Sequence, residues 1–153
     1  MINKLSSWLS STLNLTVAEE DEKHTTQLAA AVLLLEVGKA DFEISADEKQ
    51  VIENVLVQRF DLIANEASAV LAYALAEHEQ YTSSHPFVRM LNEELEHTAK
   101  LSLLEGLWEV AYADGVLDKY EEYHVRKIAD WLYLSHSDFI RLKNKVADKS
   151  TQE

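Results

Sequence analysis

Apolar positions recur along this chain about every 3.6 residues, and almost nowhere with the period of two that a half-buried strand needs. Ile2, Leu5, Trp8, Leu9 and Leu13 share one helical face, so residues 1–17 read as an amphipathic N-terminal segment. A helix is expected from about Ala18 to Ala40. Glu19, Glu20, Asp21 and Glu22 suit the positive end of its dipole, and the run Leu28 to Leu35 is apolar all round, which marks it as the central helix. Ser45 followed by Glu48 reads as a capping box opening a helix to about Phe60, with Val51, Ile52, Val55 and Leu56 inward. Asn65 is expected to cap the next helix, which runs to about Tyr81. Pro86 closes the clearest break and suits the first position of a helix. That helix is expected to continue unbroken to about Ala113 as the longest element, with Phe87, Leu91 and Leu95, then Leu104, Trp108 and Ala111, facing in. Asp118 with Glu121 and Ser135 with Asp138 open the last two helices, and Leu134 and Phe139 flank the second of these caps as a hydrophobic staple.

The prediction is an all-α fold of about seven helices in a compact bundle. One domain spans residues 18–148, between the N-terminal segment 1–17 and a tail, 149–153, expected to fray. Composition agrees. The 153 residues suffice for one core, and 3 glycines and 1 proline suit long helices joined by short turns. With 0 cysteines, disulfides, zinc-thiolate sites and cysteine nucleophiles are excluded, and a cytoplasmic location fits. No apolar run approaches the roughly 20 residues of a membrane span, so membrane contact is expected only through the face formed by residues 2–13.

Charge sharpens the picture. The formal net charge is −13, but it is unevenly spread: residues 1–118 carry 21 acids and 7 bases, a balance of −14, and residues 119–153 carry 6 and 7, a balance of +1. Nucleic-acid binding is disfavoured, because it depends on neutralising phosphates with Lys and Arg. Metal cations, a protein partner, or solubility alone remain as uses for the acid.

The acids gather at corners. Glu109, Asp114, Asp118 and Glu121 surround one helix–turn–helix, with Gly115 in the turn. A shift of 73 residues lays Glu36 on Glu109, Asp41 on Asp114 and Glu48 on Glu121, so the chain reads as two pseudo-repeated halves. The first corner has Phe42 where the second has Gly115, and positive φ comes easily only to glycine.

Glu109-x4-Asp114-Gly-x-Leu117-x3-Glu121, followed by Ile128-Ala129, the Leu134-Ser135 corner and Phe139, resembles the TerB-like family of tellurite-resistance proteins. The likeness covers about residues 25–146. It implies an all-α fold with acidic corners near a pseudo-two-fold axis. It also implies a cytoplasmic bacterial protein tied to metal or envelope stress, with no established enzymatic activity. Related domains are fused to other modules, J-domain co-chaperones among them, which implies a binding role and a protein partner.

Six carboxylates are the candidate metal ligands: Glu36, Asp41, Glu48, Glu109, Asp114 and Glu121. Oxygen-only ligand sets suit hard divalent cations, so Ca²⁺, Mg²⁺ or Mn²⁺ is expected before Zn²⁺. Glu36 and Glu109 would face each other near the axis if the halves pack symmetrically, and buried carboxylates need protons, a cation or basic partners. The plainer account is that the aspartates cap helices and the glutamates reach solvent. Asp41-x-Glu43-x-Ser45-x-Asp47 has the odd-position oxygens of a calcium loop but lacks the glycine and bidentate glutamate of an EF-hand. Glu94-x-x-His97 and Glu121-x-x-His124 match the di-iron pairing, but no alternation of helices supports it. Nucleotide-binding and nucleophile-elbow motifs are absent. The reading is a non-enzymatic stress-response binding module, with divalent cations setting its shape and a protein partner docking on it. The alternative is a metal-dependent hydrolase using the same carboxylates to activate water.

Overall fold

The computed structural model describes residues 20–39, 44–78, 85–113, 115 and 117–151. They form seven helices, and among the described residues there is no strand. These are α1 (Glu20–Gly38), α2 (Ala46–Arg59), α3 (Ala64–His78), α4 (His85–Glu94), α5 (His97–Ala111), α6 (Lys119–Trp131) and α7 (His136–Thr151). The expected N-terminal segment and the aspartates of both corner turns, Asp41 and Asp114, lie outside the described residues.

The all-round apolar run dictates the architecture. Every residue from Leu28 to Leu35 is at most 1% exposed, and α1 packs against α2, α3, α4, α5 and α6. A helix with no polar side can be satisfied only at the centre of a bundle. A second hub is α5, which packs on α1, α2, α6 and α7. Trp108, fully buried on α5, donates its indole N–H to the Phe139 carbonyl at 3.2 Å, and the two rings lie 4.9 Å apart. This seats the first turn of α7 on α5. Leu134 and Phe139 are both buried on either side of the Ser135 cap, whose hydroxyl accepts from the Asp138 amide at 3.1 Å.

Two boundaries differ from the expected pattern. The predicted long helix is broken at Leu95–Glu96, making α4 and α5, and α1 is the longest element at 19 residues. The reason lies in the phase of the stripes. Nine residues separate Leu95 from Leu104, and at 100° per residue that is half a turn out of register. One continuous helix would bury Leu91 and expose Leu104; the break lets both be buried. No glycine or proline marks it, and Glu96 sits in extended geometry without a side-chain cap. The other difference is at Asn65, which lies inside the first turn of α3 instead of capping it; the Glu66 carboxylate accepts from the Ile63 amide at 3.1 Å. The tail also stays helical as far as Thr151.

Candidate functional site

The corner glutamates sit where helix capping puts them. Ser45 is the N-cap of α2, its hydroxyl accepts from the Glu48 amide at 3.1 Å, and the Glu48 carboxylate accepts from the Ser45 amide at 3.1 Å. Asp118 is the N-cap of α6 and accepts from the Tyr120 amide at 2.7 Å. Glu48 and Glu121 therefore occupy the same position, third in their helices. Both are drawn inward, with 5% and 3% exposure. Between the corner and α6, Gly115 takes φ +86°, where a Cβ would meet nothing within 4 Å; conformation alone, not room, calls for glycine there.

Glu109 belongs to a different cluster. A Cβ on Gly106 would lie 2.8 Å from Val55 Cγ1, so α2 packs almost backbone-to-side-chain on α5. That close approach brings Arg59, in the last turn of α2, over the α5 stripe of Ser102, Glu105, Gly106 and Glu109. The guanidinium Nε donates to Glu109 Oε1 at 2.9 Å, Nη1 donates to Glu105 Oε2 at 3.0 Å and to Ser102 at 3.2 Å, and Nη2 also pairs with Glu109. From the other side, Lys145 of α7 places its Nζ 2.9 Å from Glu105 Oε1. Glu105 is 7% exposed. Burial alone would push its carboxyl up, but the Lys145 and Arg59 charges outweigh burial and hold it below the usual range. The three helices are thus tied through one buried carboxylate.

Of the six predicted ligands, Glu48 and Glu121 are buried at the third positions of α2 and α6, and Glu109 is half-buried and paired with Arg59. Glu36 is half-buried on α1 and is not free. Asp41 and Asp114 fall outside the described residues. Among the described residues, no group of three or more His, Asp or Glu is placed to hold a metal ion. The Glu94–His97 pair is split by the break between α4 and α5, and both side chains are exposed. His124 is half-buried on α6, where burial, with the nearby Lys127 charge, pushes its pKa down and favours the neutral ring.

Arg59, Glu105 and Lys145 were not among the expected site residues. Arg59 meets Ser102, Glu105 and Glu109 across 43 to 50 residues, and that meeting depends on the packing of α2 on α5. No described helix is long and apolar enough to cross a membrane.

No curated protein and no solved structure matches the chain. One family model does match, over residues 27–144, which takes in α1 from its apolar run through most of α7. Its description is tellurite resistance protein TerB; with that match covering most of the chain, this protein belongs to the TerB family.

Proposed function

We propose that this TerB-family chain is a non-enzymatic, cytoplasmic binding module of the stress response. In this reading a divalent cation at the acidic corners sets the shape that a protein partner docks on. The observation that carries it is the burial of Glu48 and Glu121 at the same helical position behind two acidic turns. A carboxylate drawn into the first turn of a helix is held by the dipole and the free amides there, and a hard cation in the turn would add to that hold. Glu48 and Glu121 are the inner oxygen donors of the reading, and Asp41 and Asp114 the outer ones. Glu36 and Glu109 would contribute from the helices that enter the corners, Glu109 only by sharing its carboxylate with Arg59. Tellurite itself is a poor ligand for such a protein: 0 cysteines leave no thiol to reduce it, and −13 net charge repels an oxyanion.

The test is elemental analysis of chelator-free protein, then melting scans with Ca²⁺, Mg²⁺, Mn²⁺ and Zn²⁺. A cation at about 100 times its Kd stabilises by about 2.7 kcal/mol, which for a chain of this size raises Tm by roughly 5–10 °C. Glu48→Gln keeps the Ser45 capping box, in which glutamine serves the same role, and Glu121→Gln keeps the side chain's shape at the matching position of α6; both remove the charge. They should leave the metal-free Tm almost unchanged and abolish the shift. An ion-free protein with no shift beyond ionic strength would sink the reading.

A further inference from the structure

The outer face of α6 carries cations that no described carboxylate pairs with. At 100° per residue, Arg126, Lys119, Tyr123, Lys127, Tyr120 and Trp131 span an arc of about 140°, opposite the buried Val125 and Ile128. Tyr120 and Tyr123 are 55% and 60% exposed. Lys119 Nζ lies 5.3 Å from the Tyr120 ring centroid, and Lys127 Nζ lies 5.6 Å from that of Tyr123 and 5.0 Å from that of Trp131. Arg126 lies over Phe139 at 5.7 Å. None of these three cations makes an ion pair among the described residues. The neighbouring acids are engaged elsewhere: Asp118 caps the helix, Glu121 is buried and Glu122 pairs with Lys143 at 2.9 Å. Asp130, exposed three residues beyond Lys127, falls within the same arc at the C-terminal end of the helix. A face of three cations against one carboxylate thus stands on a chain whose net charge is −13.

We infer that this face is a docking surface for an acidic helical segment of a partner protein. The inference deepens the partner half of the proposed function and does not need the corner cation. Rings order a lysine stem without neutralising its ammonium, so the charge stays available to an incoming carboxylate. Tyr and Trp add rigid contact area at little entropic cost. Lys119 and Lys127 are eight residues apart, about 12 Å along the helix. The same spacing separates carboxylates two turns apart on a partner helix, with an apolar residue between them to lie on Tyr123.

The probe is a labelled, alanine-based 16-residue helical peptide with glutamates about eight residues apart flanking a leucine, titrated into the full chain and followed by anisotropy and Trp fluorescence. The expected result is binding that weakens at least about tenfold in Lys119→Glu/Lys127→Glu and severalfold in Tyr123→Ala, and that falls with added salt. Lys149→Glu, on the far end of α7, should bind as the parent does. Circular dichroism of each variant checks that the helices remain. Equal binding of a peptide with lysines in place of the glutamates would overturn the inference, as would binding indifferent to Lys119→Glu/Lys127→Glu or no binding at all. So would a salt-sensitive dimer lost in that double variant, which would assign the face to a second copy. A Tm shift with cations that survives a failed peptide titration leaves the corner reading intact, and peptide binding without a cation response leaves the docking face intact.

Discussion

Helices α6 and α7 are neighbours in the chain with similar numbers of cations, yet the cations do different work. On α7, Arg141 meets Asp138 at 3.1 Å, Lys143 meets Glu122 at 2.9 Å and Lys145 meets Glu105 at 2.9 Å. On α6, Lys119, Arg126 and Lys127 meet rings. Of the α7 cations, Lys143 and Lys145 fasten the helix to α6 and α5, while Arg141 pairs within it. Those of α6 lie on a helix already anchored by Val125, Ile128 and Ala129, at 0–2% exposure, and so are free to face outward. Location, not residue type, decides whether a lysine holds the fold or addresses something outside it.

The anchored side should break hardest. Arg59 shares Glu105 with Lys145 and also holds Glu109, so Arg59→Met takes the cation from the half-buried Glu109 and leaves the buried Glu105 with Lys145 alone. Removing one partner of a buried pair costs about 3 kcal/mol or more, and urea unfolding followed by Trp fluorescence would read it. A loss under about 1 kcal/mol would mean that water screens the cluster as it does a surface pair. Next comes the contact that brings α2 over α5. Gly106→Ala puts a Cβ 2.8 Å from the branched, buried side chain of Val55. Overpacking there should cost about 1–2 kcal/mol, despite a gain of about 1 kcal/mol in helix propensity. In a Val55→Ala background the same change should become neutral or stabilising.

A third effect is read against pH. Glu105 titrates below the usual glutamate range in the folded chain, so the stability it supplies is present above the unfolded pKa of about 4.3 and is lost as pH falls through its lower folded value. The acid limb of stability, measured from pH 6 downward, should be shallower in Glu105→Gln than in the parent. An unchanged limb would show that burial and the two cations cancel.

What could be read from the chain follows from what is local. The central helix, the Ser45 capping box, the Asp118 and Ser135 caps and the burial of Trp108 all rest on neighbours within one or two turns, and each is found. The break at Leu95–Glu96 carries no breaker residue. It is visible only in the half-turn phase slip between two apolar stripes, which a window centred on either stripe does not see. At the candidate site, the burial of Glu48 and Glu121 follows from their place after the caps, whereas Arg59 reaching Glu109 across 50 residues depends on which helices pack together. Counting carboxylates found Glu109 of α5 but not Glu105, and nothing in the spacing named the cations that hold them.

The smallest expected effect separates the two helices most cleanly. Lys119→Met with Lys127→Met keeps an apolar stem over Tyr120, Tyr123 and Trp131 and removes two ammoniums that make no ion pair among the described residues. Exposed cation–π contacts contribute about 0.5–1 kcal/mol each at most, and methionine recovers part of that by packing on the ring. The double variant should therefore unfold within about 0.5 kcal/mol of the parent, while Lys143→Met, which strands the half-buried Glu122, should cost about 1 kcal/mol. The same urea titration measures both. If the α6 pair proves the costlier, the lysines are props for the rings, the face belongs to the fold, and the case for an acidic helix docking there loses its physical basis. If it proves the cheaper, these cations do nothing for stability, and their place on the outer face of an acidic protein points outward.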